Sequence, residues 1–208
     1  SIKFHSFSLD TEVNVWGALF NVFSNQSYNV SRYFDDEAVK LLEDILRENE
    51  FDIIQFEGLF VVPYLDIVKA NSKAKVVYRA HNIEFDVWER IARTEKFTPR
   101  RMYLQFLARR LKVYETEQMN RFHQVFAISE QDRQSILRFG CETALEVFPV
   151  ALDFKKYVTD PSKTSFPTLF HLGAMDWRPN KEGLEWFLDE IWPDIEKLSS
   201  ELRFYIAG

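Results

Sequence analysis

The chain has 208 residues, 46% of them hydrophobic and 16% aromatic, which is enough to build a core and excludes collagen-like, low-complexity and disordered classes. Its formal net charge of −6 argues against general nucleic-acid binding, which needs a basic surface to displace counterions. No run of about 18 apolar residues is present to span a membrane, and the length fits one large domain or one and a half small ones.

The opening SIKFHSFSLDTEV has a strand-like texture and no apolar signal-peptide core, so residues 3–9 read as a strand. Residues 35–48 place Ala38, Leu41, Leu42, Ile45 and Leu46 on one stripe, the spacing of an amphipathic helix. Residues 51–56, 75–80, 124–128 and 145–148 are short β-branched or aromatic runs, each suited to a buried strand. Between them, helices are expected over 84–94 and 100–119, split at Pro99, which suits a first helical turn. Ser129 is placed to N-cap the next helix and Gly140 to end it. A polar linker over 159–165 follows. Then come a strand at 168–172, a helix over 181–198 and a strand at 203–207. Pro193 should end or kink that helix unless it opens a new first turn.

Strand, helix and strand in alternation imply right-handed crossovers and a parallel sheet, a Rossmann-like α/β fold with flanking helices. The division expected is a partial Rossmann-like domain over 1–153, a linker over 154–166 and the beginning of a second Rossmann domain, a short βαβ start, over 167–208. A two-stranded parallel unit has too little core to stand alone, so the chain is expected to be a fragment of a longer protein. Its 6 glycines fit this expectation, since average usage near 7% would give roughly 15 and glycine-rich loops mark the missing parts of such folds.

Ligands of open parallel sheets bind beyond the carboxyl ends of the strands. The residues following each strand are therefore the candidates. Glu57 and His81 share one lip if their strands are parallel neighbours. An imidazole there can donate to a sugar hydroxyl, a carbonyl or a phosphate, and can titrate near neutrality; otherwise it caps the helix starting near Glu84. Glu57 can accept from His81 or from substrate hydroxyls, or can be a solvated loop acid. Asn82 is most simply an N-cap, and Ser129 lines the same lip after the third strand. Gly173, between a strand and a helix, lets backbone approach a phosphate drawn to the helix N-terminus. Arg178 and Lys181 can pair with that phosphate or be solvated helix-entry charges.

Arg100, Arg101, Arg109, Arg110 and Lys112 lie among Tyr103, Leu104, Phe106, Leu107 and Leu111. This make-up resembles a membrane-surface helix and leaves peripheral membrane contact open. The preferred reading is a core-facing helix whose basic side is solvated or paired with acids such as Glu115. His5, His81, His123 and His171 are too dispersed to form a metal site, and no cofactor motif is present. A single cysteine, Cys141, excludes an internal disulfide and favours a reducing, cytoplasmic compartment, at most peripheral at the inner membrane face.

Three segments carry a family resemblance: Arg79-Ala80-His81-Asn82-Ile83-Glu84, Phe126-Ala127-Ile128-Ser129-Glu130-Gln131-Asp132 and Phe148-Pro149-Val150-Ala151-Leu152-Asp153. They resemble the latter half of a glycosyltransferase family 4 N-terminal domain. His171-Leu172-Gly173-Ala174-Met175-Asp176-Trp177-Arg178-Pro179-Asn180 is similar to the first strand and loop of that family's C-terminal domain. The resemblance implies the two-Rossmann GT-B fold and metal-independent transfer of a hexosyl group from a nucleotide-sugar donor to a glycan or lipid-linked acceptor, with retained configuration. It implies that His81 lies by the donor sugar and that the Gly173 loop lies at the donor diphosphate. It also implies roles in polysaccharide or glycoconjugate assembly. The pattern departs from the family where Ala174 follows Gly173, where Lys181-Glu182-Gly183 interrupts a Lys-Gly pair, and where Val150-Ala151 replaces Asn-Gly. The first βα unit and most of the C-terminal domain are missing from the pattern, so the 208-residue chain alone is expected to be inactive. A nucleotide-sugar epimerase or hydrolase of the same architecture, and a non-catalytic α/β binding module, are the alternative readings.

Overall fold

The computed structural model describes residues 2–9, 28–156, 160–199 and 201–208, without the side chains of residues 28, 29, 161 and 178. The chain divides into two compact units, Ser1–Ala151 and Leu152–Gly208.

The first unit is built on a four-stranded sheet. Its strands are β1 (Ile53–Glu57), β2 (Lys75–Ala80), β3 (Gln124–Ala127) and β4 (Leu145–Val147). All neighbours are parallel, and their order in space is their order in the chain. Strand β2 lies between β1 and β3, and Val76, Val77, Tyr78 and Ala80 are accordingly buried. Helices occupy the crossovers, as parallel pairing demands. Helix α1 (Asp36–Glu48) buries Ala38 and Leu46, and Asp35 Oδ1 caps it by accepting from the Glu37 and Ala38 amides at 2.8 and 3.1 Å.

A 3-10 segment, Leu59–Tyr64, runs directly into α2 (Leu65–Asn71). Neither is expected from the 3.6-residue pattern. Leu59, Val62, Leu65 and Val68 among their buried residues instead recur every three positions, the repeat of a 3-10 helix, with Tyr64 buried beside that row. Helices α3 (Glu84–Thr94) and α4 (Thr98–Met119) follow β2, with Pro99 in the first turn of α4. Helix α5 (Glu130–Arg138) starts at its Ser129 cap, and Gly140 follows its end with φ +98°.

Residues 3–9 do not form the expected strand: among the described residues β1 is the outer strand, and residues 3–9 do not pair with it. Phe4 and Phe7 are three residues apart, so a strand would send them to opposite faces and bury only one. Phe4 is 86% exposed, while His5 and Phe7 line a groove with Leu42, Ile45 and Ile54.

The second unit contains one parallel pair, β5 (Thr168–Leu172) and β6 (Arg203–Ala207). The helix expected over 181–198 is interrupted. It comprises α6 (Arg178–Trp186), a π-helical turn (Phe187–Ile191) and α7 (Trp192–Leu198). Pro193 sits in the first turn of α7, where its missing N–H breaks no intrahelical bond. Phe187 and Trp192 pack on Phe204 with ring centroids 5.0 and 5.6 Å away. Among the described residues, no helix is long and apolar enough to cross a membrane.

Candidate functional site

The carboxyl ends of β1 and β2 form the site. Their register places Glu57, the last residue of β1, beside Arg79, the second-last of β2. Gly58 turns the chain away from β1 at φ +87°, a region that favours glycine, while its amide donates to the Arg79 carbonyl at 3.0 Å. The two strands therefore stay paired up to the lip, and His81 follows Ala80 there.

Glu57 Oε2 and His81 Nε2 are 2.5 Å apart, with both side chains about half exposed. The Gln55 amide donates to Glu57 Oε1, and Arg79 Nη1 lies 3.6 Å from Oε2. Partial burial pushes the Glu57 carboxyl up, but the hydrogen bonds from His81 and Gln55, with the charge of Arg79, outweigh it and hold it below its ordinary value. The lip thus carries an ionised, oriented carboxylate against an imidazole.

Helix α3 begins three residues after His81. Ile83, not Asn82, holds the N-cap position and offers no side-chain cap. The Asn82 side chain instead hydrogen-bonds Glu84. The cap comes from α4: Glu115 Oε1 accepts from the Glu84 amide at 3.1 Å and Oε2 from the Phe85 amide at 3.0 Å. Glu115 is 0% exposed, so it does not pair with the basic face as expected. Its helix turns it inward on the stripe of Leu104, Leu107, Ala108 and Leu111, where the orphan amides of α3 give it partners. Burial pushes the Glu115 carboxyl up, and Glu84 and Asp86 add to this; the two amides pull it down, and the net position is about 8. The basic residues find other partners, with Arg100 pairing Glu95 at 3.1 Å and Lys112 lying over the Phe85 and Phe139 rings.

Ser129 sits on the same lip, two residues beyond Ala127, which pairs with Ala80. Its hydroxyl accepts from the Asp132 amide at 3.1 Å and donates to Asp132 Oδ2 at 2.5 Å, so it is occupied in capping α5.

In the second unit, Gly173 ends β5, its amide donating to the Ala207 carbonyl at 3.0 Å. A Cβ at Gly173 would meet Asn180 Nδ2 at 2.9 Å and His171 Nε2 at 3.1 Å. Asn180, which donates to the Ala174 carbonyl at 3.1 Å, thus lies close against the Gly173 backbone. Lys181 projects from α6 with 66% of its side chain exposed and reaches Glu185 at 3.9 Å. Arg178 opens α6, and its side chain lies outside the described residues.

Comparison with protein-family models, with curated proteins and with solved structures finds no match. The site stands on its own geometry. Within the first unit the fold brings Glu57 and His81 into contact and leaves Ser129 and Asn82 engaged in local bonds. Three residues absent from the expected site take part: Arg79, Glu115 and Asn180. Arg79 is a charge inside an apolar strand run, and Glu115 is an acid on an apolar helical stripe, so both leave a sequence signal. Among the described residues, no group of three or more His, Cys, Asp or Glu side chains could hold a metal ion. Burial pushes the Cys141 thiol up, away from the reactive thiolate.

Proposed function

We propose that this chain belongs to a glycosyltransferase that moves a hexosyl group from a nucleotide-sugar donor to a glycan or lipid-linked acceptor. The observation that carries the reading is the 2.5 Å Glu57–His81 pair on the carboxyl lip of a parallel sheet. With Nε2–H given to Glu57, a neutral imidazole presents Nδ1 as an acceptor for a sugar hydroxyl. The carboxylate fixes the ring plane before substrate arrives, the kind of preorganisation that stabilises developing charge. On the donor side, the Gly173 loop and the α6 N-terminus are the groups suited to a diphosphate, and exposed Lys181 can swing toward it. The motif resemblance supports the same assignment.

The test uses the full-length protein that carries this chain, incubated with nucleotide sugars. His81→Ala should lower transfer by about 100-fold or more, the contribution typical of a positioned acid or base. Unchanged turnover would remove His81 from the mechanism. Conversion of donor without acceptor would favour an epimerase or hydrolase, and absence of donor binding by calorimetry would favour a binding module.

A further inference from the structure

Arg79 is the cation nearest the Glu57–His81 pair. Its side chain is only 17% exposed, yet it makes no short hydrogen bond to any described residue. Nε is buried without a partner. Nη1 stands 3.6 Å from Glu57 Oε2, beyond hydrogen-bonding distance. Nη2 reaches the Phe148 and Pro149 carbonyls only at 3.5 and 3.4 Å. His81 and Gln55 already bond Oε2 and Oε1, and Arg79 stays at ion-pair distance from the carboxylate.

More exposed arginines are better satisfied. Arg47 is 72% exposed and bonds Asp44 at 2.9 Å, and Arg133 bonds Glu130 at 3.0 Å. A covered guanidinium without good acceptors is costly, and a protein rarely keeps one without a use. The Phe148 ring, 5.0 Å from the guanidinium carbon, holds the group in place. This is a fixed fork of donors at the mouth of a site, and such a fork matches an anion with two oxygens in one plane.

We propose that Arg79 recognises an anionic group, a carboxylate or phosphate, on the substrate that meets the Glu57–His81 lip. Naming that substrate the sugar acceptor rests on the transfer reading above; the anion site does not. The shared chemistry is a two-oxygen anion, supplied by a uronic acid or by a sugar phosphate. Glu57 opposes the incoming charge, so it tunes the affinity downward.

The experiment follows the Arg79 Nε–H signal by NMR while the protein is titrated with glucuronic acid, glucose 1-phosphate or neutral glucose. At least one anion should shift the signal and glucose should not; the anion that does so identifies the source. Arg79→Gln should weaken that anion at least tenfold, as read from backbone amides of the lip. Arg79→Lys should keep a weaker response, since an ammonium lacks the fork. Glu57→Gln should tighten it several-fold, and this variant decides the matter if Arg79→Gln does not fold. No response to either anion, an equal response to glucose, unchanged affinity in Arg79→Gln, or unchanged or weaker affinity in Glu57→Gln would each overturn the proposal. Anion binding without sugar transfer would sink the transfer reading and leave Arg79 standing; transfer without anion binding would do the reverse.

Discussion

The two units obey one pattern and reach different outcomes. In the first, β2 is flanked by strands on both sides, and helices bring Leu65, Val68, Leu111 and Ile136 onto the sheet, each at most 2% exposed. In the second, β5 and β6 have only each other among the described residues, and the π-helical turn and α7 pack Phe187 and Trp192 on Phe204. Phe170 and Leu172 remain 65% and 73% exposed. Every fully buried residue among those described belongs to the first unit. A strand–helix–strand repeat therefore specifies elements and pairing, while a core needs strands flanked on both edges and covered on both faces.

The sharpest way to break this contrast is a pair of truncations. Leu111→Ala, at 0% exposure, should cost roughly 2–5 kcal/mol, because the packed surroundings cannot collapse into the space. Phe170→Ala should stay within about 0.5 kcal/mol, since its ring is already in water. Urea denaturation with Trp88 as the reporter of the first unit reads the former; equal effects from both would end the distinction.

The next effect depends on pH. The Glu115 carboxyl sits near 8 in the folded chain, above its ordinary value of 4.5, mainly because it is buried. The folded state thus holds a proton that the unfolded state releases. That stability is fully present below 4.5 and is lost as pH rises through about 8. Between pH 5 and pH 7 the group should remove about 2 kcal/mol. Glu115→Gln mimics the protonated form in shape and should flatten this slope, measured as urea midpoints across the range. A slope as steep as that of the unaltered chain would place the proton uptake elsewhere.

Local rules made most of the first unit legible. Ser129, Pro99 and Gly140 each act at a helix end, where one side chain or one φ angle decides the outcome, while Asp35, read as the first helical residue, is the cap of α1. The 3-10 segment was hidden because its row of Leu59 and Val62, continued by Leu65 and Val68, steps by three and not by 3.6, and residues 3–9 misled because alternation alone does not supply a pairing partner. In the site, the contact of Glu57 with His81 follows from parallel neighbours and strand ends. The cap of α3 does not, because Glu115 lies 31 residues from the amide it serves. Only the packing of α4 on α3 joins them. Asn82, a good capping residue by type, lost the position to a carboxylate that arrives from another helix.

That difference separates two kinds of cap, and Asp35 measures the local kind. Asp35→Ala removes an acceptor of two amides and should cost about 1 kcal/mol, seen as a lower urea midpoint and faster amide exchange at residues 37 and 38. An effect as large as that at Glu115 would erase the distinction between local and tertiary capping.

The smallest effect expected is in the second unit, at Gly173. An added methyl would lie 2.9 Å from Asn180 Nδ2, the far end of a flexible side chain in the first turn of α6. Asn180 can swing away and surrender its bond to the Ala174 carbonyl, so Gly173→Ala should cost under about 1 kcal/mol. In an Asn180→Ala background the cost should shrink further, leaving only the 3.1 Å approach to His171. Donor binding should respond differently. On the donor reading proposed above, a methyl beyond β5 would crowd the backbone offered to the phosphate, so donor affinity should fall in both backgrounds while stability barely moves. If donor affinity recovers once Asn180 is removed, the glycine serves the Asn180 bond alone, and the phosphate role passes to the α6 N-terminus.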